Sequence, residues 1–335
     1  MVSLNIRHLR AIKIIEKNLK LQNLNLSGLT ILTEVGSNNY LYTPIIAALA
    51  NAKHVYAWTR DTVYGKGEVI KKECLEIAKA LGISGKLTVE VNSTSADHIR
   101  TADIITNSGF LRPINAKFLE AVNEKCVIPL MYEAWEVRAS DIEIEACKQK
   151  NIRVAGTWEN HPSIRVFDSV GQLSVKLAHD AGFEVVQNNI IIWSDDHFGE
   201  IAHRAFIDAG ASSVISTVDV DEFYDNVGQA DFVYICDYDE TRPIFGSKGL
   251  ISIEKIKKLN NALGVVHLYG DIDVEFLKSN DIFVHPQKRG RPSVMTESLA
   301  YLGPQPAIAL QVAGFKVAES MCKNEANELV QRLTY

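Results

Sequence analysis

Three short polar stretches carry the residue types from which a small-molecule site could be built. Asn107, Ser108 and Arg112 follow one apolar run, Glu133, Trp135, Glu136 and Arg138 follow the next, and Trp158, Glu159, Asn160 and His161 follow a third. An arginine fork grips a carboxylate or phosphate with two donors, which suits Arg112 and Arg138 to an anionic substrate. Histidine is the side chain suited to proton transfer near neutral pH, which makes His161 a candidate, with Glu133 or Glu159 to orient its ring. Asn107, Ser108, Trp135, Glu136, Glu159 and Asn160 complete the expected substrate surface. Each residue taken singly also reads as a loop cap or a surface ion pair.

A second constellation lies in Asn189–Thr217. The apolar run Ile190–Trp193 is followed by the turn Ser194-Asp195-Asp196-His197 and by Phe198, Gly199, Ile201, Ala202, Ala205 and Phe206 at helical spacing. Strand–helix–strand units place ligands at the carboxyl ends of their strands, so Ser194, Asp195, Asp196, His197, Phe198 and Gly199 form a candidate ligand turn. Carboxylates and imidazole would also suit a divalent cation, or Asp195 or Asp196 would cap the helix; the cap is preferred and no metal is assigned. A rival nucleotide turn is Gly36-Ser37-Asn38, with Arg60 placed to meet a ribose phosphate. The basic run His285–Pro292 reads either as a phosphate contact or as a solvated loop.

The elements that must position these residues alternate. Apolar runs at Leu29–Thr33, His54–Trp58, Leu87–Val91, Asp103–Thr106, Cys126–Leu130 and Ile152–Ala155 read as buried strands, with helical stretches between them, including Leu41–Ala52 and Asn115–Asn123. A long helix, Ile164–Ala181, precedes a second series of strands: Ile190–Trp193, Val214–Ser216, Phe232–Cys236, Val265–His267 and Ile282–Val284. Helices are expected near Ser293–Tyr301 and over Ala307–Arg332, and the apolar LGPQPAIALQVAGFKVAES reads as core or as a dimer face. The fold class is α/β, two Rossmann-like parallel-sheet domains with an interdomain cleft. Residues 1–163 form the first, 164–182 the connecting helix, 183–292 the nucleotide-type domain, and 293–335 helices returning to the first.

From ADIITNSGFLRPINAKFLEAV through DIEIEACKQKNIRVAGTWENHPSIRVFDSVGQLSVKLA to ADFVYICDYDETRPIFGSKGLISIEKIKKLNNALGVVHLYGDIDVEFL, the order of elements resembles the D-isomer-specific 2-hydroxyacid dehydrogenases. The resemblance implies an NAD or NADP cofactor and places the family's acid/base histidine at His285. The family's glycine-rich cofactor loop corresponds to Ser194–Gly199, where only Gly199 is retained, its ribose-binding acid to Asp219 or Asp221, and its substrate-binding arginine falls near Leu268.

Composition narrows the classes. With 335 residues, 47% of them hydrophobic, the chain is long enough for two cores. A net charge of −6 argues against nucleic acid as the main partner, and no apolar run reaches the roughly 20 residues of a membrane span. The start MVSLNIRHLR does not read as a signal peptide. Cys74, Cys126, Cys147, Cys236 and Cys322 are scattered, as in a cytoplasmic protein. The expectation is a cytoplasmic, homodimeric NAD(P)-dependent oxidoreductase-like enzyme acting on a small anionic metabolite. The alternatives are a non-redox, metal-assisted enzyme on the same fold and a non-catalytic protein that binds a ligand or serves assembly.

Overall fold

The computed structural model describes residues 4–93, 95–238, 242–290, 292 and 294–333. The chain divides into two compact units, one built up to Val166 and again from Gly303, the other over Phe167–Leu302. The first unit runs α1 (Ile6–Gln22), β1 (Thr30–Glu34), α2 (Thr43–Leu49), β2 (His54–Thr59), α3 (Gly67–Ala80), β3 (Leu87–Val91), α4 (Ala96–Thr101), β4 (Ile104–Ile105), α5 (Ala116–Leu119), β5 (Val127–Pro129), α6 (Ile144–Gln149) and β6 (Arg153–Thr157). The second runs α7 (Val166–Asp180), β7 (Asn189–Trp193), α8 (His197–Asp208), β8 (Ser213–Thr217), α9 (Val220–Val227), β9 (Phe232–Ile235), β10 (Pro243–Phe245), α10 (Ile253–Leu259), β11 (Gly264–His267), β12 (Asp271–Ile272), α11 (Val274–Ser279) and β13 (Phe283–His285). The chain then completes the first unit with α12 (Pro304–Lys323) and β14 (Val330–Arg332).

Strands buried on both faces must be covered on both faces, and the apolar content of the helices supplies the covers. In the first unit one core packs Ala11, Ile15, Ile45, Ile77, Val312 and Phe315 against Ile31 and Val55. The other sets Leu119, Ile142 and Cys147 against Leu32, Ile105 and Ile128. All five residues of β1 are buried, and full burial of each large aliphatic chain contributes about 1.5–3 kcal/mol. The strand order is β14-β6-β5-β4-β1-β2-β3, parallel except for antiparallel β14. In the second unit it is β13-β11-β9-β7-β8. The chain reverses its direction of travel across the sheet between β1 and β4 in the first unit and between β7 and β9 in the second. At such a reversal the loops after the strands part and leave a crevice, the usual ligand position in open α/β sheets.

Several expectations are corrected. The helix foreseen over Ala307–Arg332 stops at Lys323, where Asn324 takes a left-handed cap, and Val330–Arg332 pairs with β6 instead. No α-helix forms over the described residues of 294–301; a 3-10 turn, Leu299–Leu302, stands there, and Ser293 lies outside the described residues. The helix foreseen over Asn115–Asn123 is a single turn. Leu41–Ala52 begins as a 3-10 turn at Asn38–Tyr42 before α2. A small pair, β10 with β12, was not foreseen. The stretch read as core or dimer face is α12, whose Ile308, Val312 and Phe315 are fully buried.

Within α12 the buried Glu319 accepts from Lys316 Nζ at 2.8 Å and from Lys323 Nζ. Burial alone would raise its pKa, but the two lysines hold it below the ordinary value. A depressed carboxylate stabilises the fold above its unfolded pKa and loses that contribution as pH falls through the folded one. Glu319→Gln is expected to cost about 1–3 kcal/mol at pH 7. Denaturant titration against pH checks this, and the deficit should shrink once wild-type Glu319 protonates in acid.

Candidate functional site

At the first crevice the last residue of β1, Glu34, is buried and accepts from Phe110 N at 3.2 Å, in the loop after β4. Burial raises its pKa, opposed by the Phe110 N–H and by the charges of Arg112 and Arg60. The loop can come this close because residue 109 is glycine: a Cβ there would lie 1.6 Å from Glu34 Oε2, and its φ is +34°. Beneath it a chain of hydroxyls, Thr33 to Thr106 to Ser108, each step 2.8 Å, ties β1 to β4.

Arg112 does not stand open for a substrate. Its Nε donates to Asn107 Oδ1 at 3.0 Å and one terminal nitrogen to Asn107 O at 2.8 Å, so the fork that would grip a carboxylate is spent on one buried asparagine. The other terminal nitrogen lies 3.3 Å from Asp141. The guanidinium also covers the ring of Tyr132, whose hydroxyl accepts from Asn107 Nδ2 at 2.8 Å. Burial pushes the Tyr132 hydroxyl up to about 12. Arg138 is half-buried and lies 3.9 Å from both Glu136 and Asp141.

Along the same sheet edge, Glu133 after β5 and Glu159 after β6 meet. Glu133 Oε1 accepts from Glu159 N at 2.9 Å, and Oε2 accepts from Trp135 Nε1 at 2.7 Å. Glu133 also forms a capping box with Glu136. The Glu159 side chain, on a residue only 9% exposed, faces these two. Its pKa is raised well above the ordinary value by burial, then by the charges of Glu136 and Glu133. Burial raises Glu136 as well. His161 does not take Glu133 or Glu159 as its orienting partner. Its ring bonds Ser163 Oγ at 2.7 Å and Glu328 Oε2 at 3.2 Å and stands edge-on to Trp158, because β14 brings the C-terminal segment against this loop. Asn160 is exposed.

The rival turn after β1 is not a phosphate cradle. Gly36 and Ser37 lead into a 3-10 turn in which Asn38 has φ +54°, Ser37 makes no capping bond, and α2 opens later with Pro44. Arg60 lies over the ring of Phe110.

In the second unit, Asp196 caps α8. Its Oδ1 accepts from Phe198 N at 2.8 Å, Gly199 N at 3.2 Å and Ser194 Oγ at 2.9 Å, and Oδ2 accepts from Tyr238 N at 2.8 Å across the crevice after β9. Gly199 is required here, since a Cβ would lie 2.6 Å from Ser194 Oγ. Arg242 donates to Asp195 at 3.0 and 3.1 Å and to fully buried Asp237 at 3.0 Å. His197 packs its ring against Phe167 and Phe198. Beside this turn lies a cavity of about 680 Å³ lined by Asp195, Asp196, Glu200, His203, Arg204 and Asp219 among others. Asp219, just after β8, stands at the sheet edge where dinucleotide-binding sheets meet a ribose hydroxyl, and its Oδ1 caps α9 by accepting from Glu222 N at 2.8 Å. The residues suit a ribose; they do not suit a diphosphate while Asp196 holds the N–H groups a phosphate needs. Half-buried His285 ends β13, its pKa lowered by burial. Arg289 of the basic run pairs with Asp271 at 2.8 Å, and Arg291 lies outside the described residues. Among the described residues no group of three or more His, Cys, Asp or Glu is placed to hold a metal, and no helix is long and apolar enough to cross a membrane.

Glu34, Tyr132, Asp141, Glu328, Asp237 and Arg242 were not foreseen. Glu34 had a signal, an acid closing an apolar strand; the others meet their partners only through the fold.

No family model and no curated protein matches the chain. Solved structures do match in fold. One component of the dipicolinate synthase of Bacillus halodurans is 12% identical at a TM-score of 0.53, over 90% of this chain and 99% of that one. Its counterpart in the dipicolinate synthase of Bacillus subtilis is 11% identical at 0.52, over 90% and 97%. NAD-dependent formate dehydrogenase from Staphylococcus aureus, solved with NAD, is 12% identical at 0.51, over 90% and 97%. At these identities the likeness is one of fold, and at that level the resemblance to the 2-hydroxyacid dehydrogenases holds.

Glu159 yields a direct test. A carboxyl with a raised folded pKa binds its proton more tightly in the folded state. It therefore destabilises the fold progressively as pH rises from its unfolded value, about 4.3, through the folded one. Glu159→Gln should raise the melting temperature at pH 7, by about 2–4 °C for each kcal/mol relieved. Melting curves against pH should show that gain fading toward pH 4.

Proposed function

We propose that the chain is an NAD(P)-linked oxidoreductase-like protein whose first unit takes a small anionic metabolite at the carboxyl ends of β4, β5 and β6. The observation that carries the reading is the pair of strand-order reversals with polar residues gathered at each. Its support is the shared fold with an NAD-bound formate dehydrogenase and the cavity bordered by Asp219 just after β8. That cavity is lined by the carboxylates of Asp195, Asp196, Glu200 and Asp219. They repel a 2′-phosphate and accept from a 2′-hydroxyl, which favours NAD over NADP.

In this reading the chain's own groups divide the work. Arg138, half-buried at the same edge with its acidic neighbours at 3.9 Å, is the cation assigned to an anionic substrate. Arg112 fixes the loop after β4 through Asn107. Glu159, whose pKa burial and then the charges of Glu136 and Glu133 raise well above the ordinary value, is a proton-transfer candidate, while His161 is steadied by Ser163 and Glu328. His285 is the second proton-transfer candidate.

A second reading is favoured by Asp196 itself. A chain that fills its phosphate position with a carboxylate has the fold without the dinucleotide, as in a non-catalytic relative.

Titration calorimetry with NAD and NADP on the wild type and on Asp196→Gly separates the two. The first reading predicts binding of NAD to the wild type, tightened about tenfold or more in Asp196→Gly, where the freed N–H groups gain about 1.4 kcal/mol with the diphosphate. It also predicts weaker binding to Asp219→Asn. Absence of binding to either protein overturns it in favour of the second.

A further inference from the structure

We propose that the ligand of the first unit presents an ammonium group to the corner formed by Glu133, Glu136 and Glu159, between the exposed indoles of Trp135 and Trp158. The inference rests on the reading of this sheet edge as the substrate side and names a class of group that reading leaves open.

Two independent observations carry it. One is the Glu159 carboxyl. It belongs to a residue only 9% exposed, and it accepts no hydrogen bond from the described residues, whereas Glu133 next to it has both oxygens engaged. With no donor supplied by the described residues, that carboxyl can accept from an N–H group that a ligand brings. The other is aromatic. Trp135 and Trp158 are 47% and 36% exposed although they flank a buried polar corner, one bonded to Glu133 and the other edge-on to His161. Indole faces attract alkylammonium groups, and carboxylates complete such a site.

The chemistry excludes other occupants. Three acids in one corner repel a phosphate or carboxylate. A divalent metal needs a set of ligands aimed at one point, and the described residues offer none. A primary ammonium brings three donors and a single charge, enough for Glu159 with one neighbour. With Arg138 beside Glu136 on the same loop, the whole ligand would be zwitterionic, an amino-acid-like molecule with its acid end toward Arg138.

The test follows tryptophan fluorescence while the intact protein is titrated with 6-aminohexanoate, with hexanoate, and with sodium chloride at matched ionic strength. Saturable binding of 6-aminohexanoate at least tenfold tighter than hexanoate, lost in Glu159→Gln and moved in Trp135→Phe or Trp158→Phe, is the expected result. Glu159→Gln is foreseen to be the more stable protein, so loss of binding there does not reflect unfolding. Equal binding of hexanoate, or unchanged binding in Glu159→Gln, overturns the inference. Because NAD is titrated separately, NAD binding without ammonium selectivity overturns this inference alone, and ammonium selectivity without NAD binding overturns only the cofactor assignment.

Discussion

A carboxylate removed from water must be given donors, and the two sheets meet that demand in the same way. In the first unit Glu34, closing β1, reaches across the strand-order reversal to the backbone N–H of Phe110. In the second, Asp196, just after β7, reaches across the corresponding reversal to the backbone N–H of Tyr238. Each crevice is bridged by a side chain at the carboxyl end of its first central strand. The loops after β4 and β9 are positioned by these bridges, and the residues of both candidate sites hang from those loops or their neighbours.

The consequence is chemical as well as architectural. Backbone N–H groups at the mouth of an α/β sheet ordinarily serve an incoming anion. Here they already serve acids of the chain, so any phosphate must displace Asp196. The first unit carries the same bias further: Arg112 is absorbed by Asn107 and Asp141, and the corner between β5 and β6 gathers three glutamates, of which Glu159 has no donor among the described residues. The fold shared with dehydrogenase structures is thus retained with acidic residues gathered at both sheet edges.

Much of the fold was legible in the sequence because buried parallel strands are short unbroken apolar runs. Leu87–Val91 stands as read, and Ile190–Trp193 and Val265–His267 fall within β7 and β11. Misread segments were those where periodicity and tertiary context part. Residues 307–332 look helical throughout, yet Asn324 ends the helix and β6 recruits Val330–Arg332 as an edge strand. The polar residues after β4, β5 and β6 were legible as a set, since each follows a strand. Their pairing was not. Nothing in the spacing shows that Arg112 turns back on Asn107, that Glu328 reaches His161 over 167 residues, or that Arg242 bridges Asp195 and Asp237. The capping reading of Asp196, by contrast, was available from an acid two residues before an apolar helical face.

The central claim is that Asp196 is what satisfies the backbone at the second crevice. Amide hydrogen exchange at Phe198, Gly199 and Tyr238, in the wild type and in Asp196→Ala, tests it directly. The account predicts faster exchange at all three in the variant, by about tenfold or more, including Tyr238, which is 42 residues away in sequence. Unchanged protection at Tyr238 would contradict it.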